Sequence, residues 1–173
     1  RSNGIRLFHD HLMIKTGESG ESRPTPWHQD LPYFPMQQAG ALSCWMALDD
    51  VDEDNGTLCF LPGSHKLSRF KGQGGIERVT TEDIYRAFPE LESTEPYVVR
   101  MNAGSCTFHN ANLFHLGTAN RSNRERRAMI IVYMPDGTTH DDKGDPLTKP
   151  LGFKEGDPIV GEIFPILSEN SGA

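Results

Sequence analysis

The sequence predicts an all-β sandwich or barrel with minor helical insertions, on three observations. Apolar runs of strand length recur along the chain, clusters of Gly, Pro, Asn and Asp separate them, and one segment alone carries a helical signature. The runs fall at 5–15, 41–48, 57–61, 97–101, 105–108 and 128–134. Between them sit Asp54-Asn55-Gly56, Pro62-Gly63-Ser64 and Asn102-Ala103-Gly104, whose residue types favour turns. No internal repeat interrupts this order.

The helical segment begins at Thr80 or Thr81, either of which can cap it. Ile84, Ala87 and Phe88 then share a face, and Pro89 ends it. The stretch 71–75 before it reads as a mobile loop. The tail from Gly137 is rich in Gly, Asp, Pro and Lys, and is expected either to lie over a pocket or to be partly disordered. Residues 1–173 thus read as one domain, with a core at about 5–135, an insertion at 66–96 and a tail at 137–173.

Composition narrows the function. No apolar run approaches the roughly 20 residues that span a bilayer, so no membrane role is expected. The chain opens at Arg1-Ser2-Asn3 without a charged-then-apolar leader, an abrupt start that leaves room for sequence upstream. A net charge of −7 argues against nucleic acid, which requires a basic face. Cys44, Cys59 and Cys106 are odd in number and lie in apolar runs, so they read as buried reduced thiols of a cytoplasmic protein. No CxxC spacing is present, and a structural zinc site is not expected.

Two segments carry chemistry. In Trp27-His28-Gln29-Asp30, an extended chain points residues two apart to the same face, so His28 and Asp30 can converge. An imidazole and a carboxylate so placed supply two members of a 2-His-1-carboxylate facial triad, which suits non-haem iron(II). An HxD pair is equally at home on an ordinary surface. The second segment runs from His115 through Asn120 to Arg126, which leads into an apolar strand. A distant histidine can complete the triad. A buried arginine needs a carboxylate, although a strand-end arginine can also keep its head in water.

Taken together, these segments resemble the phytanoyl-CoA dioxygenase family. Residues 26–35, Pro-Trp-His-Gln-Asp-Leu-Pro-Tyr-Phe-Pro, are similar to its first metal-binding segment. Residues 43–50 and 55–65 resemble the strand pair that follows, and 108–126 its closing segment, with eleven residues from His115 to Arg126. The likeness covers roughly 5–135. It implies a double-stranded β-helix (a jelly roll, cupin-like) and an iron(II)- and 2-oxoglutarate-dependent dioxygenase. The implied reaction uses O2 to hydroxylate an unactivated C–H bond of a small molecule, releasing succinate and CO2.

Carried onto this chain, the resemblance implies His28, Asp30 and His115 as iron ligands and Arg126 as the anchor for 2-oxoglutarate. Gln29 and Trp45 match positions near the cosubstrate, and His11 matches a position where the family commonly has another residue type. His11 shares one face of the first strand with His9, Met13 and Lys15. A cosubstrate lysine of the family lies upstream of the matched region. Related halogenases replace the carboxylate ligand with a small residue, so the presence of Asp30 favours hydroxylation.

Four other histidines compete. His109 rivals His115, but its spacing of seventeen to Arg126 fits the family poorly. His65 reads as a turn residue, His9 as a packed strand residue, and His140 in His-Asp-Asp-Lys as part of a solvated loop. Strand alternation puts Arg126 with Ala128, Ile130 and Val132, and Arg127 with Met129, Ile131 and Tyr133. Both faces are apolar, and only the family spacing selects Arg126. Two other classes stay open: a jelly-roll metalloenzyme that does not use 2-oxoglutarate, and a non-catalytic binding module of the same fold. The first would not need Arg126 at a fixed place, and the second would be expected to have lost a ligand.

Overall fold

A computed structural model describes residues 4–17, 22–67 and 79–169. The expected loop at 71–75 lies outside them. The described strands are β1 (Gly4–Lys15), β2 (Thr25–His28), β3 (Leu42–Ala47), β4 (Leu58–Phe60), β5 (Tyr97–Val98), β6 (Cys106–Asn110), β7 (His115–Gly117), β8 (Arg126–Pro135) and β9 (Ile166–Glu169). They form an antiparallel sheet of order β6-β3-β8-β1-β9 and a second of order β2-β7-β4-β5. From β1 to β4, and again from β6 to β8, the chain alternates between the sheets. This is the jelly roll that the resemblance implies.

Period-two patterning positions the interior. Along β8, Arg126, Ala128, Ile130, Val132 and Met134 are buried, while the residues between them are exposed or half-buried. β1 is bulged between Leu7 and His9, after which His11, Met13 and Lys15 pair with Ile130, Ala128 and Arg126. The bulge therefore sets which side chains of β1 enter the barrel, and the face expected for His9, His11, Met13 and Lys15 is formed. Phe8, Trp45, Leu58, Ile130 and Val132 pack between the sheets.

Residues 79–91 contribute to a second, smaller core. The helix α1 (Thr81–Ala87) starts at Thr80, whose hydroxyl accepts from the Asp83 N–H while the Asp83 carboxylate accepts from the Thr80 N–H. Ile84 and Leu91 pack with Trp27, Cys59, Leu61 and Phe114. The Trp27 indole donates to Thr81 Oγ1 at 3.0 Å. The residue preceding His28 is thereby pinned from outside the barrel. Ala87, expected on the buried face, is exposed, because Ile84 alone in this two-turn helix reaches the interior.

The sequence left the fold of the tail open. Through residue 169 it is folded, with Ile159 and Phe164 in the main core and Phe164 stacked on Phe8 at 5.8 Å. Arg6 holds Asp136 at 2.5 Å, and β9 pairs with the start of β1. His140, expected in a solvated loop, is 2% exposed. It bridges Met36, and its Nε2 lies 3.0 Å from Thr148 Oγ1. Tail residues far along the sequence fold over it, with the Phe153 ring 5.7 Å away. Cys44 and Cys59 are buried as expected, but Cys106 is exposed, because it sits on the outer face of the edge strand β6.

Candidate metal centre and anion pocket

β2 ends at His28, and the chain runs on so that Asp30 returns to the same side. In the small sheet His28 lies directly opposite His115, which also pairs with Phe60 of β4. His28 Nε2 is 3.6 Å and His115 Nε2 3.5 Å from Asp30 Oδ1. One donor atom from each of the three lies within 4.8 Å of the others, close enough to share one ion. The opposite nitrogens are fixed by carbonyls: His28 Nδ1 lies 2.8 Å from Pro26 O, and His115 Nδ1 lies 2.9 Å from Leu113 O. A carbonyl accepts only from N–H, so Nδ1 carries a proton, and in the neutral ring Nε2 is then the bare nitrogen that a metal ligand requires.

The electrostatics agree with ligation. Burial works against ionisation of Asp30, but the imidazoles of His115, His109 and His28 outweigh it and hold the carboxyl well below the usual range. Burial holds His115 neutral, with a pKa of about 3. An ionised carboxylate with three imidazole rings around it is a concentration of ligand atoms. Such a set suits a divalent cation.

His109, the rival histidine, is also at the site. It is buried, its ring is 4.6 Å from that of His115, and its Nε2 lies 3.5 Å from Asp30 Oδ2. It does not belong to the three-residue set whose donor atoms converge. Of the remaining candidates, His65 is exposed in a short turn, and His9 packs against Phe8 and Phe34.

The other end of the same cavity, about 260 Å³ in volume, is positively charged. Arg126 is 1% exposed, with its guanidinium 5.1 Å from the Trp45 ring centroid. Its Nε and Nη1 meet no hydrogen-bond partner among the described residues. Lys15, its cross-strand partner, is 7% exposed and donates to the carbonyls of Thr118, Gly117 and Arg23. Burial and then the neighbouring Arg126 lower the Lys15 pKa to about 8, and burial lowers that of Arg126 to about 10. Gly56, at φ +93°, backs the pair: a Cβ there would meet Lys15 Cδ at 2.8 Å. Asn120 ties the end of β1 to the approach of β8 by donating to the carbonyls of Lys15 and Arg124.

Of the residues singled out from sequence, His28, Asp30, His115, Arg126, Trp45 and His11 all line this cavity. Gln29 does not. Its amide donates to the Asn112 carbonyl at 2.6 Å, because alternation turns it away from its two neighbours. Arg127 faces outward and is paired with Asp49, so the strand register selected by family spacing is the one observed. Sequence reasoning missed Lys15 and Ser43. The available signal for Lys15 was its place on the face of His11 and Met13, which left it nowhere to go but inward. Ser43, whose hydroxyl donates to Asp30 Oδ2 at 2.7 Å, carried no local signal.

Solved structures share this architecture. The non-haem alpha-ketoglutarate-dependent carbocyclase SnoK of nogalamycin biosynthesis aligns with a TM-score of 0.79 at 27% identity, covering 95% of this chain and 63% of its own. The epimerase SnoN, in complex with Fe3+, alpha ketoglutarate and nogalamycin RO, aligns at 0.78 and 29%, covering 95% and 66%. Among curated relatives, the peroxisomal phytanoyl-CoA dioxygenase of Rattus norvegicus is 30% identical over 137 residues, 75% of this chain and 39% of its own. A probable alpha-ketoglutarate-dependent hypophosphite dioxygenase of Stutzerimonas stutzeri is 29% identical over 135 residues, 75% and 45%. The chain thus spans less than half the length of these curated relatives. The family model for phytanoyl-CoA dioxygenase matches residues 2–128, which include both halves of the metal cluster and Arg126, and the chain belongs to the phytanoyl-CoA dioxygenase family.

Proposed function

We propose that this protein is an iron(II)- and 2-oxoglutarate-dependent dioxygenase that hydroxylates an unactivated C–H bond of a small molecule, releasing succinate and CO2. The observation that carries the reading is one cavity with two unmet charges. At one end a carboxylate and two imidazole nitrogens converge, and at the other a buried guanidinium and ammonium have no carboxylate within ion-pair distance among the described residues. A divalent metal answers the first and a dicarboxylate the second. 2-Oxoglutarate can reach both, with its keto acid end toward the metal and its distal carboxylate toward Arg126 and Lys15.

His28, Asp30 and His115 would hold iron through three positions and leave three free. Iron so held supplies the oxygen chemistry. The remaining work belongs to the protein. Arg126 and Lys15 orient the cosubstrate by charge, and the Trp45 ring fixes the guanidinium. Ile130, Leu58 and Met13 give the cavity apolar walls that exclude water between its two ends. Its primary substrate would enter beside His11, the exposed residue of the lining.

The cations at Arg126 and Lys15 favour this over a metalloenzyme that does not use 2-oxoglutarate, and the complete ligand set favours it over a non-catalytic module. Hydroxylation is the finer part of the proposal, since SnoK and SnoN are named a carbocyclase and an epimerase. Titration of 2-oxoglutarate into protein loaded with Mn(II) under anaerobic conditions tests the cosubstrate. Succinate release with Fe(II) and O2 across a panel of small molecules, with products identified by mass, tests the reaction. Tight metal binding without any 2-oxoglutarate binding would sink the proposal.

A further inference from the structure

The Asp30 carboxylate lies between two cross-strand pairs, one from each sheet. His28 and His115 are register partners in the small sheet, and both Nε2 atoms face Oδ1. Ser43 and His109 are register partners in the large sheet, and both polar atoms face Oδ2, at 2.7 Å and 3.5 Å. The two oxygens of one side chain therefore have different surroundings. Oδ1 lies beside the Nε2 atoms of His28 and His115, whereas Oδ2 accepts from the Ser43 hydroxyl and lies beside His109 Nε2.

We infer that Ser43 and His109 are positioning residues that hold Oδ2 and keep Asp30 a one-oxygen ligand, resting on the metal site proposed above. The His109 ring is 5% exposed and packs against Phe60 at 5.2 Å between centroids. Its Nδ1 has no hydrogen-bond partner among the described residues, so the acceptor that can use its proton is the carboxylate beside Nε2. At 3.5 Å the ring nitrogen is farther from Oδ2 than in an ordinary hydrogen bond but within ion-pair distance of it, and the charge on Asp30 draws its proton to that oxygen. Ser43 supplies the shorter bond to the same oxygen. With both donors in place, Oδ2 is engaged away from the ion.

The consequence is for coordination number. Three protein ligand atoms leave three positions on a six-coordinate ion, two for a chelating 2-oxo acid and one for O2. A carboxylate free to chelate through both oxygens would take one of those three. Outer partners of metal ligands are commonly worth about 10–100-fold in affinity or activity. Here the effect should fall on the cosubstrate, since the position lost is one it needs.

The test uses the whole chain loaded with Co(II) or Mn(II), read by visible absorption or electron paramagnetic resonance, with 2-oxoglutarate titrated anaerobically. His109→Phe keeps the ring and its packing but removes the donor. It should retain the metal, change the metal spectrum before 2-oxoglutarate is added, and weaken 2-oxoglutarate binding about tenfold, the lower end of that range. His109→Gln, which can still donate to Oδ2, should restore most of both properties. Ser43→Ala should move both readouts in the same direction, and it keeps the inference testable if His109→Phe does not fold.

Two results would overturn the inference. An unchanged spectrum and unchanged 2-oxoglutarate affinity in both Ser43→Ala and His109→Phe would make the pair mere packing. Metal loss in His109→Phe as complete as in His115→Ala would make His109 a ligand. His28→Ala serves as the control for the site itself: if it keeps the metal, the ligand assignment is wrong and the clamp falls with it.

Discussion

The two ends of the cavity are built from opposite charge by the same device. At one end, three imidazoles crowd an ionised carboxylate, and burial keeps His115 neutral. At the far end, Arg126 and Lys15 lie side by side in the interior and are short of an anion. In each case strand register brings together two side chains distant in sequence, His28 with His115 and Lys15 with Arg126. The two ends differ in cost: neighbours favour the ionised form of Asp30, whereas burial disfavours the charged forms of Arg126 and Lys15. The difference is what the proposed function uses: one elongated ligand that chelates a metal at its keto acid end and is anionic at the other would satisfy both ends at once.

The largest expected effects come from breaking the metal end. His28→Ala, Asp30→Ala or His115→Ala should abolish Mn(II) binding, followed by isothermal titration, and Fe(II)-dependent succinate release. Each should leave a cooperatively folded protein, because these side chains line a cavity rather than fill the core. Activity retained in Asp30→Ala with iron still bound would reverse the assignment of that end.

Breaking the far end should separate cosubstrate from metal. Arg126→Ala should weaken 2-oxoglutarate binding by about 2–5 kcal/mol, the usual loss on truncating one partner of a buried charge pair. Metal affinity should be unchanged. Arg126→Lys should recover part of the loss, since an ammonium lacks the two-pronged geometry. The comparison also predicts a gain. Arg126→Met, which removes a cation without a counter-ion, should raise the melting temperature of the ligand-free protein and abolish its further rise on adding 2-oxoglutarate.

Lys15 sharpens the contrast through pH. Its folded pKa of about 8 lies below the ordinary lysine value of 10.5. Below pH 8 it is charged and attracts the cosubstrate. Above that, the free protein loses the proton, and 2-oxoglutarate affinity should decline by up to about tenfold per pH unit. The unfolded chain still holds the proton between about 8 and 10.5, so stability of the ligand-free protein should rise with pH through that window. Lys15→Met should weaken binding less than Arg126→Ala and remove both dependences. A pH profile identical in Lys15→Met and wild type would place the titrating group elsewhere.

The smallest effect is expected one residue from the largest at the far end. Arg127 is outside the barrel, paired with Asp49 through its guanidinium and backbone N–H. Arg127→Ala should leave 2-oxoglutarate affinity and metal binding unchanged, since solvent screens a surface ion pair and no strand face connects it to the cavity. A large loss there, with none at Arg126, would mean that the register of β8 is shifted by one residue.

What could be read from the sequence was whatever depended on local period and spacing. Alternation in β1 and β8, the two-apart spacing of His28 and Asp30, the Thr80 cap and the turn clusters are properties of neighbouring residues. The match to the family added the long spacing from His115 to Arg126, which period alone left undecided between two apolar faces. What remained hidden depended on residues far apart in the chain. His140 looks solvated among Asp141, Asp142 and Lys143, and becomes buried because Phe153 and Thr148 fold back against it. β9 forms only because β1 offers it an edge. Ser43 is an ordinary strand serine until register sets it opposite His109, and Asp30 arrives between them from another segment. Lys15 is the middle case: its strand face was evident, but that this face points at a second buried cation was decided by the pairing of β1 with β8. Sequence determined which side chains could act together within a strand, because strand geometry is local. Tertiary structure alone decided which strands meet, because pairing and burial are settled by the whole chain at once.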